Sequence, residues 1–127
     1  MSDKRLLIID DEPEVGVILR QIAEECGFDV EATLSADEFR AAYSTFRPTA
    51  IIVDLAVPNT DGIQLFRWLA DQHCAVPIVI ISGFDDKVLE SAKRLGEARG
   101  LLMRGIFTKP MRTADISSLL NGLVGTA

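Results

Sequence analysis

Five short apolar runs alternate along the chain with segments whose apolar residues recur at helical spacing, and that alternation leaves few folds open. It is the mark of repeated strand–helix units around a parallel sheet. The runs are Leu6 to Ile9, Val30 to Leu34, Ala50 to Val53, Ile78 to Ile81, and Leu102 to Phe107. Three are continuously apolar and rich in β-branched residues, as strands covered by helices on both faces must be. The second, Val30-Glu31-Ala32-Thr33-Leu34, alternates instead, which predicts an edge strand. Helices are predicted near residues 13–26, 36–46, 62–73, 86–99 and 113–124. Pro13 suits a first helical turn, Ser35 with Glu38 forms a capping box, and Gly27 and Gly100 fall just past helix ends. There is no internal repeat, low-complexity tract or linker, so residues 1–127 read as one doubly wound α/β domain without an output domain.

Charge and hydropathy narrow the function classes. Thirteen Lys and Arg against nineteen Asp and Glu give a net charge of −6, which repels both a phosphate backbone and an anionic membrane surface. Direct binding of nucleic acid is not expected. No apolar run approaches the roughly 20 residues that span a bilayer, and the N-terminus lacks a signal peptide's long apolar segment. The expected location is the cytoplasm. Cys26 and Cys74 match neither a disulfide framework nor a metal clip and read as free thiols.

The polar residues are placed unevenly. In the three continuously apolar strands they come only at the C-terminal ends: Asp10 and Asp11 follow the first, Asp54 ends the third and Ser82 ends the fourth, and Lys109 closely follows the last strand. In an open α/β sheet those ends share one edge, and the crevice where strand order reverses is the usual ligand site. Any one of these residues alone reads as a cap or loop residue. All five converging on one edge read as a site.

Three carboxylates against one ammonium need either raised pKa values or a divalent cation. The donors are hard oxygens with no His or Cys among them, so Mg²⁺ fits better than Zn²⁺. Mg²⁺ usually takes one or two carboxylates and keeps coordination positions for a phosphate. Phosphoryl transfer then assigns the roles. Asp54, central in the sheet, is the nucleophile, because a carboxylate can form an acyl phosphate. Asp10 and Asp11 hold the metal, while Lys109 and the Ser82 hydroxyl contact the phosphoryl oxygens.

The set Asp10-Asp11-Glu12, Asp54 to Gly62, Ser82-Gly83 and Thr108-Lys109-Pro110 closely resembles the response-regulator receiver domains of bacterial two-component systems, over essentially the whole chain. The resemblance implies a flavodoxin-like (βα)5 fold with strand order 2-1-3-4-5. It implies that Asp54 is phosphorylated by a histidine kinase or histidine phosphotransfer protein, and that the acyl phosphate acts on an output domain or downstream protein. Such a domain is not an enzyme toward other substrates, catalysing only its own phosphorylation and slow dephosphorylation. Mg²⁺ would be bound by Asp11, Asp54 and the Ala56 backbone carbonyl, with Asp10 acting largely through water. A cis bond before Pro110 is also implied.

Two departures stand out. Receivers usually carry Tyr or Phe three residues before the lysine, where this chain has Ile106, stiff at χ1 and without a hydroxyl. Movement of Ser82 is therefore expected to be read through Gly83-Phe84-Asp85 and the fourth helix, with Phe84 as the moving aromatic. The stretch Ala98 to Gly105 replaces the common Gly-Ala pair and resembles receivers fused to cyclic-di-GMP phosphodiesterase domains. Among single residues, His73 reads as a charge at a helix C-terminus. Trp68 lies outside the apolar arc of its helix, leaving a partner surface and a half-buried indole both open.

Other functions share parts of this pattern. A haloacid-dehalogenase-like phosphatase also uses an Asp nucleophile and Mg²⁺, but it places an acid two residues beyond the nucleophile, where this chain has Ala56. A flavin-binding domain needs an uncharged phosphate loop after the first strand, where this chain has Asp10-Asp11-Glu12-Pro13-Glu14. A pseudo-receiver interaction module that takes no phosphate would not need the full acidic set with Lys109.

Overall fold

Parallel pairing follows the aliphatic runs, with one register shift between the last two strands at Ile78 and Val79, where Arg104 is skipped. A computed structural model describes residues 3–55, 62–83 and 86–124. It contains β1 (Arg5–Ile9), α1 (Pro13–Glu25), β2 (Asp29–Thr33), α2 (Ala36–Phe46), β3 (Ala50–Asp54), α3 (Gly62–Asp71), β4 (Pro77–Ser82), α4 (Asp86–Ala98), β5 (Leu102–Thr108) and α5 (Thr113–Val124). The sheet is fully parallel in the order β2-β1-β3-β4-β5. Strand order reverses between β1 and β3, so a crevice opens beyond their C-terminal ends.

The period-2 geometry of the strands splits the core into two layers. Leu7, Ile9, Ile51, Val53, Ile78 and Ile80 face one layer with Phe39, Leu65, Phe66, Leu69 and Leu89 from α2, α3 and α4. Leu6, Ile8, Ile52, Val79 and Ile81 face the other, with Leu19 and Ile22 of α1 and Ile116 and Leu120 of α5. Helices on both faces explain the continuous apolar runs of β1, β3 and β4. The alternating β2 lies at the edge, as its sequence predicts.

Differences from the sequence reading are small and local. Strand β2 begins one residue early, because Asp29 N–H donates to the Lys4 carbonyl. It stops before Leu34, whose N–H donates instead to the Glu38 carboxylate in the capping box that starts α2. Helix α3 ends at Asp71 rather than near 73. His73 adopts a left-handed φ of 56° while the Cys74 N–H returns to the Leu69 carbonyl, so His73 turns the chain rather than simply placing charge at the helix end. Gly27 and Gly100 take φ of 90° and 84°, the left-handed conformation their positions predict. Trp68 is half-buried and lies edge-on to Tyr43 at a ring separation of 5.3 Å, so the indole packs on α2. No described helix is long and apolar enough to cross a membrane.

Candidate functional site

Strands β1, β3, β4 and β5 each deliver a polar residue to the same edge. Asp10 follows β1 directly, anchored by its N–H to the Thr33 carbonyl of β2 at 3.1 Å. Its Oδ1 accepts the Glu12 N–H at 2.9 Å, which fixes the turn into α1. Asp54 is the last residue of β3 and Ser82 the last of β4, and both are buried. The Ser82 carbonyl accepts the Lys109 N–H at 2.8 Å, extending the β4–β5 pairing one step past Thr108. The Lys109–Pro110 peptide is cis.

The Lys109 ammonium is the hub. Its Nζ lies 3.0 Å from Asp10 Oδ2, 3.0 Å from Asp54 Oδ2 and 2.7 Å from Glu12 Oε1. The contacts to Asp54 and Glu12 are hydrogen bonds, whereas the Asp10 contact is an ion pair without hydrogen-bond alignment. Burial alone would lower the Lys109 pKa, but the carboxylates of Glu12, Asp10 and Asp54 that face the ammonium overcome it and hold the group above the ordinary lysine range. The Asp10 pKa is raised, first by burial and further by the Asp54 charge, against the lowering effects of the Glu12 N–H and Lys109.

Asp10, Asp11, Glu12 and Asp54 each offer an oxygen within 4.8 Å of the others. Four carboxylates facing one ammonium leave a formal charge of −3. Such an excess draws in a hard divalent cation, and the donor set is all oxygen. Asp10 Oδ2 is also buried without a hydrogen bond, as an atom awaiting a cation would be. The residues fit Mg²⁺. Chemically, the site can hold a divalent cation and neutralise an oxyanion next to a buried carboxylate.

Of the sequence-derived site residues, Asp10, Asp11, Asp54, Ser82 and Lys109 meet at this edge, while Ala56 and Phe84 lie outside the described residues. Glu12 was not singled out as a site residue, although it makes the shortest of the three contacts to Lys109. Its signal was faint, since an acid just before Pro13 also reads as an ordinary helix start. Ile106 is half-buried in the α2–α4 layer, and its neighbour Phe107 packs into the α1–α5 layer. The aromatic ring is therefore on the opposite face of the sheet and does not substitute for the missing one.

A family profile described as response regulator receiver domain matches residues 6–121. A crystal structure of a response regulator from Colwellia psychrerythraea is similar at 33% identity and a TM-score of 0.80, covering 98% of each chain. The alkaline phosphatase synthesis transcriptional regulatory protein PhoP of Bacillus subtilis is 26% identical over 96% of this chain and 49% of its own length. The transcriptional regulatory protein FixJ of Rhizobium meliloti is 33% identical over 68% of this chain and 42% of its own. The chain thus spans about half or less of the length of these curated relatives.

Proposed function

The chain belongs to the response regulator receiver domain family, and from that premise we propose that Asp54 is its phosphoacceptor. Receiver domains are signalling domains that histidine kinases phosphorylate and that act on output domains. They bind Mg²⁺ at an acidic pocket. For this chain the donor is a histidine kinase or histidine phosphotransfer protein. One Asp54 carboxylate oxygen attacks the phosphorus, the P–N bond to the donor imidazole breaks, and an acyl phosphate forms on Asp54.

Lys109 places its ammonium against the equatorial oxygens, supplying charge without taking a proton. The Ser82 hydroxyl donates to the same oxygens, and its displacement reaches Gly83, Phe84 and α4. Asp11, Asp54 and the Ala56 carbonyl would hold Mg²⁺ directly, with Asp10 behind a water. The ion would neutralise charge on the transferring group. The observation that carries this reading is the Lys109 ammonium, held 3.0 Å from a buried Asp54 oxygen at the sheet's switch point.

Neither a haloacid-dehalogenase-like phosphatase nor a pseudo-receiver is favoured. The family match spans nearly the whole chain, and the acidic set with Lys109 is intact. Incubation with a small acyl phosphate, followed by intact-mass measurement, tests the proposal. One phosphoryl group should add to the wild type with Mg²⁺, and none with chelator or in Asp54→Asn. Equal labelling of Asp54→Asn overturns the assignment.

A further inference from the structure

We infer that Glu12 is a resting-state latch on Lys109, a carboxylate that competes with a phosphoryl group on Asp54 for the ammonium. This rests on Asp54 being the phosphoacceptor. An ammonium has three N–H donors and no acceptor. Among the described residues the Lys109 ammonium already faces three carboxylates, those of Asp10, Asp54 and Glu12. A phosphoryl oxygen on Asp54 takes over the Asp54 contact, and engaging it draws the ammonium away from Asp10 or Glu12.

Burial decides which. The Asp10 side chain is 1% exposed, so withdrawing the ammonium strands a carboxylate that water cannot reach. The Glu12 side chain is 54% exposed and is taken up by solvent on release. The shortest contact is thus the one most cheaply broken. Local geometry supports the same division. Asp10 Oδ1 holds the Glu12 backbone N–H, and Pro13 follows at the first position of α1. The main chain is pinned there. The Glu12 side chain makes no capping hydrogen bond to α1, so its departure leaves the helix intact. Glu12 competes with the phosphoryl group for one cation, and this sets how readily the site accepts phosphate.

The test is an equilibrium titration with beryllofluoride as the phosphoryl mimic in saturating Mg²⁺, followed by backbone amide shifts. Wild type, Glu12→Ala, Lys109→Ala and the double variant form a cycle. Glu12→Ala should tighten mimic binding about two- to fivefold, the strength of an exposed ion pair. In the Lys109→Ala background the same change should do nothing. An equal gain in both backgrounds would mean that Glu12 acts only as through-space charge, and no gain in the wild-type background would mean that it does not compete; either result overturns the latch. Should Lys109→Ala not fold, Glu12→Asp keeps the charge but shortens the reach by a methylene. It should bind like Glu12→Ala, and wild-type affinity would refute the contact. Undiminished mimic binding by Asp54→Asn would instead remove the phosphoacceptor reading itself.

Discussion

Replacing Asp10 by asparagine should stabilise the metal-free protein. The Asp10 side chain is 1% exposed, and its Oδ2 accepts no hydrogen bond. A buried, unsatisfied polar atom costs about 1–3 kcal/mol, more when it is charged. Asparagine keeps the Oδ1 that accepts the Glu12 N–H and removes the charge. It also forfeits the attraction to Lys109, which offsets part of the gain. The net expectation is about 1–2 kcal/mol of stabilisation at neutral pH in chelator, a rise in Tm of about 4–8 °C for a domain of this size.

The pH dependence fixes the sign independently. Burial raises the Asp10 pKa above its ordinary 3.8, so the folded state holds this proton more tightly than the unfolded chain does. The wild-type contribution is then fully favourable below 3.8 and is lost as pH rises through the folded pKa. The advantage of Asp10→Asn should therefore be largest at neutral pH and shrink as pH falls toward 3.8. Saturating Mg²⁺ should narrow or reverse the order, because the wild type gains more from binding. Urea melts of both proteins in chelator, across pH and with added Mg²⁺, measure all three. A destabilised Asp10→Asn at neutral pH would show that Lys109 already compensates the buried charge, and a gain that persists unchanged in acid would show that the charge is not its source.

Lys109→Ala should still accept phosphate on Asp54, but its amide shifts should respond weakly to the phosphoryl mimic; complete loss of labelling in a folded variant would contradict the role given to the ammonium. His73→Gly should raise Tm, since a non-glycine residue at a left-handed φ of 56° costs about 1–2 kcal/mol that glycine avoids. His73→Ala should not, and an equal rise in both would assign the effect to the imidazole instead. Phe39→Ala should cost about 3–5 kcal/mol by denaturant melt, because the ring is fully buried between α2 and the sheet; a loss below about 1 kcal/mol would mean that the layer collapses around it. Amide shifts on adding the mimic should spread through residues 83 to 90, and changes confined to β5 would rule out that route from Ser82.

Much of this was legible in the residues themselves. Runs such as Ile78 to Ile81 could only be strands buried on both faces, and the exposed Glu31 between Val30 and Ala32 marked an edge. Asp54 and Ser82 stood out as polar groups ending otherwise apolar strands, and the parallel topology then carried them to one crevice. What escaped depended on partners distant in sequence. Trp68 sits at the margin of its helix's apolar arc, and its burial comes from Tyr43 on α2, which the sequence of α3 does not contain. Glu12 becomes a site residue only because Lys109, 97 positions later, reaches back to it. His73 was read for its charge, although its backbone angle is what the turn uses.

Locating the acyl phosphate tests the central claim most directly. Protein labelled by a small acyl phosphate in Mg²⁺ is reduced with borohydride, which converts a phosphorylated aspartate to homoserine, and its peptides are mapped by mass. The expected result is homoserine at position 54, absent when chelator precedes labelling. Homoserine at position 10 or 11, or label that survives reduction, would contradict Asp54 as the residue that receives the phosphoryl group.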